Sequence, residues 1–201
     1  KYDKVNTVCE TRNSYGSLLK EKIERYFPKA SPIIINAGLS GGHAPAGAAR
    51  LERDVLRFMP DLTVVCFGLN DCQNGKNGIA SYTDALENIF ERSKEAGSEV
   101  IFMTPNMMCN GVYKGFADER IEKIAVAMAE IQNGGGLDEY MQAAVQTAKR
   151  CGVKISDCYG KWKQLDHSGA DIIALLSNRI NHPTREMHKL FCDMLFDTMM
   201  N

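Results

Sequence analysis

The residues from Leu62 to Cys66 run apolar or β-branched without a break, as a strand does when both faces of a parallel sheet are covered. The run stops at Gly68, and Asn70 and Asp71 follow at its carboxyl end, where open α/β sheets keep their ligand crevices. Three shorter apolar runs predict further strands, giving four in all at about 33–36, 62–67, 99–103 and 153–156. Between and around them the apolar positions recur at helical spacing. Tyr15, Leu18, Leu19, Ile23, Tyr26 and Phe27 predict a helix ended by Pro28, and Ala48, Leu51, Val55, Leu56 and Met59 predict one closed by Pro60. Further helices are predicted over 82–96, 118–131, 137–151 and about 184–199, the first three stopped by Gly97, Gly134 and Gly152. Strands alternating with helices at these separations imply a parallel sheet covered on both faces. Such sheets usually open on a strand, whereas this order opens on a loop and a helix, so a strand is expected ahead of it.

Length and composition suit one soluble domain with a substantial core: 201 residues, 44% hydrophobic and 24% charged. A net charge of -1 offers no clustered cation for nucleic acid or an anionic membrane, which leaves a small or neutral partner. No apolar run approaches the roughly 18 residues needed to span a bilayer. The seven cysteines show no zinc-ligand spacing and no disulfide framework, which favours a reducing compartment such as the cytoplasm. Cys66 reads as a buried small hydrophobe within its strand. The chain starts at Lys1 without an initiator Met, so its compartment stays open.

Gly38, Asn70 and His182 each flank a regular element at what should be one edge of the sheet. A glycine-turn N–H and a carboxamide are the fixed donors that a developing oxyanion needs, and a loop histidine is the usual general base. Plainer roles exist for each. Asn70 and Asp71 could merely cap a turn, and Gly38 could merely allow a positive φ. His43 lies beside the proposed site and could touch substrate, though an incidental role is the better reading. His167 and His188 read as surface residues, Ser40 as a loop serine, Cys72 as packing, and the Met-rich carboxyl end as core. No glycine-rich phosphate cradle follows a strand, which ranks a nucleotide binder last.

Asn36-Ala37-Gly38-Leu39-Ser40-Gly41, Pro60-Asp61 leading to Gly68-Leu69-Asn70-Asp71, and Asn181-His182-Pro183 before a helix together resemble three of the four blocks of the SGNH, or GDSL, serine hydrolases. The blocks stand in that family's order over almost the whole chain. The resemblance implies an α/β fold of SGNH-hydrolase type, a three-layer α/β/α sandwich around a flavodoxin-like parallel sheet, with 1–201 as a single domain. It implies hydrolysis of a carboxylic ester, with Gly38 and Asn70 as oxyanion hole and His182 as base, and with no metal or organic cofactor. Short acyl groups such as acetyl on carbohydrates are the first substrate class, ahead of lipids and thioesters.

Two departures from the family pattern stand out. The family's Gly-Asp-Ser block is absent, and the predicted helix at 14–27 resembles the one that follows it, so the first strand and the serine are expected upstream of Lys1. The family's aspartate three positions before the histidine is here Arg179, which cannot accept the imidazole N–H. A backbone carbonyl, Asn178 or Asp171 could serve instead, or the site could work as a dyad. The rival reading is a non-catalytic binding domain on the same fold.

Overall fold

A computed structural model describes residues 11–201. Three strands, β1 (Leu62–Val65), β2 (Glu99–Met103) and β3 (Lys154–Ser156), form a parallel sheet in the order β1-β2-β3. Leu62 lies opposite Glu99 and Val65 opposite Phe102, while Ile101 pairs with Lys154 and Met103 with Ser156. The helices are α1 (Tyr15–Tyr26), α2 (Ala44–Asp54), α3 (Ile79–Glu95), α4 (Glu119–Asn133), α5 (Gly136–Arg150), α6 (Cys158–His167), α7 (Ile172–Leu175) and α8 (Arg185–Met200). In one layer α3 packs between α2 and α5, with α3 against β2 and α5 against β3; in the other, α1 lies along α8, which also contacts β3 and α6. The two layers enclose a core in which Trp162, Tyr82, Tyr140, Phe90 and Phe102 are fully buried.

Local chemistry explains where these helices begin. Ser14 caps α1 by accepting the Ser17 N–H, Asp118 caps α4 from Arg120, and Thr184 caps α8 from Met187. The segment between Pro28 and the start of α2 corrects the expected strand at 33–36, because it has no regular structure and Ile33 is 87% exposed. Three isoleucines favour an extended chain, but a strand exists only by pairing. No backbone hydrogen bond joins these residues to β1. Among the described residues β1 is therefore an edge strand with β2 as its single partner.

Uneven cover also explains the burial along β1, which alternates, with Thr63 and Val65 buried but Leu62 and Val64 only partly so. β2, flanked on both sides, is buried from Val100 to Met103. Cys66 falls just past β1 rather than within it and is partly exposed, although burial pushes its thiol up to about 12. α2 stops at Asp54 and a short 3-10 turn, Leu56–Phe58, completes the apolar stretch before Pro60. The sequence reading missed α6 and α7.

Candidate active site

Because the strands are parallel, their carboxyl ends share one rim, and the chain that leaves each of them carries the polar groups of interest. After β1, Gly68 turns the backbone with φ 133, which strongly favours glycine, and a Cβ there would run into the methyl end of Met141. The turn is held by Asp71, which is buried. Its Oδ1 accepts the Ala44 N–H at 2.8 Å, and its Oδ2 accepts the Gly68 N–H at 3.0 Å. Burial raises the Asp71 pKa, and the two backbone donors oppose that rise. Asp71 thus ties the start of α2 to the end of β1.

Asn70 makes the second tie between these two loops, its Nδ2 donating to the Gly42 carbonyl at 2.8 Å. The glycine-rich loop is further held where Arg50 Nη1 donates to the Ala37 carbonyl at 2.6 Å. Gly38 lies in this loop, exposed, with its N–H donated to Asn36 Oδ1 at 2.9 Å. Gly38 and Asn70 are thus brought to one loop pair.

His182 reaches the same rim from the carboxyl-terminal part of the chain. After β2 the residues 104–109 are buried, and there Asn106 Nδ2 donates to the Asn181 carbonyl at 2.8 Å while the Cys109 N–H donates to the Ile180 carbonyl at 2.7 Å. These bonds fasten the loop of His182 beside the end of β2, the neighbour of β1, and Asn70 lies in the chain that leaves β1. The His182 side is exposed, and its ring makes no hydrogen bond among the described residues.

Of the two residues weighed as orienting partners, Asp171 caps α7 by accepting the Ala174 N–H at 3.0 Å. Arg179, with φ 62, sends its Nη1 to the Ile173 carbonyl at 3.2 Å and its guanidinium over the Tyr113 ring. Asn178 bonds backbone in the loop rather than the ring: its Oδ1 accepts the N–H groups of Ile180, Asn181 and His182 at 3.1, 2.9 and 2.9 Å. An asparagine accepting from the residues two and three ahead is the Asx-turn habit, and that was the signal available in the sequence.

A cleft of about 330 Å³ opens beside this rim, lined by residues that include His43, Asp71, Asn74, Ser81 and Tyr82. Gly38, Asn70 and His182 do not line it. His43 is at its mouth but also caps α2, its Nδ1 accepting the Ala46 N–H at 3.4 Å. Cys72 is buried, and burial, then the neighbouring Asp71, pushes its thiol up to about 12, as suits a packing residue. His188 is not the surface residue expected: it is partly buried, because the first turn of α8 faces α1, where its Nδ1 accepts the Tyr15 N–H at 3.3 Å. Burial, then the nearby His182, lowers its pKa. Among the described residues no cluster of His, Cys, Asp and Glu is arranged to hold a metal, and no helix is long and apolar enough to cross a membrane.

Solved structures share this fold. The acetylxylan esterase Axe2 from Geobacillus stearothermophilus superposes with a TM-score of 0.71 at 18% identity, over 92% of this chain and 80% of its own. The α/β hydrolase LAE5 from the metagenome of Lake Arreo, Spain, gives 0.71 at 20% identity over 92% and 81%, and the acetyl xylan esterase AlAXEase gives 0.72 at 16% over 92% and 90%. No curated protein sequence matches the chain. Sequence identity at this level speaks for the fold alone, but the family model for GDSL-like lipases and acylhydrolases matches residues 4–190, which takes in all three blocks. The chain therefore belongs to the GDSL-like lipase/acylhydrolase family.

Proposed function

We propose that the protein is a serine esterase that removes short acyl groups, acetyl first among them, from carbohydrates. The observation that carries this reading is the family match across the Gly38, Asn70 and His182 blocks, joined to the placement of Asn70 and the His182 loop at one end of adjacent strands. Acetylated xylan, the substrate class named for two of the structural relatives, is the first candidate. The fold and the family give no support to a non-catalytic binding domain.

In the mechanism, the serine Oγ attacks the acyl carbon while its proton passes to His182, and the carbonyl electrons move onto oxygen. The Asn70 carboxamide meets that charge with its second N–H, the first being held by the Gly42 carbonyl. Gly38 contributes its N–H by releasing Asn36 Oδ1. Collapse of the intermediate expels the alcohol, which takes the proton from His182. A water activated by the same imidazole then attacks the acyl-serine and frees the acid.

The serine itself is proposed on the amino-terminal side of Lys1, on a strand that pairs with the open edge of β1. Two observations support this placement: that edge lies unpaired among the described residues, and α1 starts against His188, in the first turn of the helix that follows the His182 loop.

The test is turnover of an aryl acetate by the full-length protein, with mapping of the serine labelled by a fluorophosphonate. His182→Ala is expected to lower turnover by several orders of magnitude. Unchanged turnover would remove His182 from the mechanism, and labelling of a serine within 11–201 would move the nucleophile.

A further inference from the structure

We propose that Asn178 is the positioning residue of His182, doing through the backbone what the family's aspartate does on the ring; this rests on the proposed role of His182 as base. The position that the resemblance assigns to the acid holds Arg179, whose side chain leaves toward Ile173 and Tyr113. What fixes the histidine instead is its own main chain. Asn178 Oδ1 collects three successive N–H groups, ending with that of His182 at 2.9 Å. The His182 carbonyl accepts from the Ser177 N–H at 2.7 Å and from Ser177 Oγ at 3.1 Å.

Both polar groups of the His182 peptide are therefore bound within five residues of chain. Asn178 Nδ2 closes the loop on itself by donating to Asn181 Oδ1 at 2.9 Å, and Asn106 anchors the closed loop to the end of β2 through the Asn181 carbonyl. A loop so tied leaves the ring only its two side-chain torsions. The ties therefore fix the point from which the imidazole reaches the site without a carboxylate on its ring, and the pair works as a Ser–His dyad.

The experiment compares kcat and KM for an aryl acetate in the full-length protein, Asn178→Ala and Asn178→Asp, with Tm and amide hydrogen exchange for each. Asn178→Ala is expected to lower kcat about 10- to 100-fold with KM almost unchanged, because the base is displaced while the substrate surface is not. Asn178→Asp keeps an oxygen acceptor for all three N–H groups, and Asn181 need only turn its carboxamide over to donate to it, so kcat is expected to recover. A folded Asn178→Ala with the original kcat overturns the proposal, as does a folded Asn178→Asp as slow as the alanine variant. If Asn178→Ala does not fold, the aspartate variant decides by the same criterion. Absence of both turnover and serine labelling in the unmutated protein counts against the esterase reading alone. The loop is then judged by exchange of the His182 amide, expected to quicken about tenfold or more in Asn178→Ala; an unchanged rate overturns it.

Discussion

The imidazole of His188 lies almost flat against the ring of Tyr15, centroids 6.0 Å apart and planes 13° from parallel, while its Nδ1 accepts the Tyr15 N–H at 3.3 Å. Because Nδ1 must keep its lone pair for that bond, the contact between α1 and α8 selects the neutral ring, in keeping with the lowered pKa.

A pH dependence follows from that selection. The folded pKa lies below the ordinary 6.5, so between the two values the unfolded chain binds more protons and stability rises with pH. The contribution is complete above about 6.5 and is lost as acidification proceeds through the lowered folded value, at no more than about 1.4 kcal/mol per pH unit. Urea unfolding from pH 7.5 to 5 is expected to show this slope, and His188→Phe, which keeps a ring for stacking, should flatten it. An identical slope in that variant assigns the dependence elsewhere.

Asn70 is expected to act on the chemical step. Asn70→Ala removes the donor meant for the developing oxyanion, and kcat should fall roughly 10²- to 10³-fold with little change in KM. The same change frees the Gly42 carbonyl, so Tm should be measured beside the kinetics. A rise in KM alone would make Asn70 a substrate-binding group.

Asp71 is expected to act on stability. Asp71→Ala strands the N–H groups of Ala44 and Gly68 in the interior and should cost roughly 2–5 kcal/mol in denaturant unfolding. Asp71→Asn keeps one acceptor oxygen and should fall between the two. Equal stabilities for all three proteins would show that water takes over the freed donors.

Much of this arrangement was legible in the order of residues. The run at 100–103 is apolar because strands flank it on both sides, the run at 62–66 marks a strand although only alternate residues of it are buried, and the helices announced themselves by period and by stops such as Pro28 and Gly97. The run at 33–35 misled because three isoleucines specify an extended chain but not a neighbour to bond. α6 went unread because its apolar face, Cys158, Tyr159, Trp162 and Leu165, is interleaved with Gly160, Lys161 and Lys163. The blocks of Asn70 and His182 could be read because one follows β1 and the other precedes α8, whereas the block of Gly38 follows no strand. His188 could not, since nothing on its own helix says that α1 will cross it. For Asn178 the residue was noted but not its acceptor role, which belongs to a turn that forms only when the backbone folds back on it.

The side of β1 that is unpaired among the described residues also bears on how the protein behaves in a tube whenever the proposed upstream strand is lost or displaced. Its row of peptide groups is a template on which another molecule's extended segment can zip, and Ile33, Ile34 and Ile35, all exposed in the segment before α2, add apolar surface for such contacts. Concentration, mild heating or a stray peptide would each favour such stitching between copies once the border is bare, so the seating of that strand, more than the near-neutral net charge, would govern colloidal behaviour.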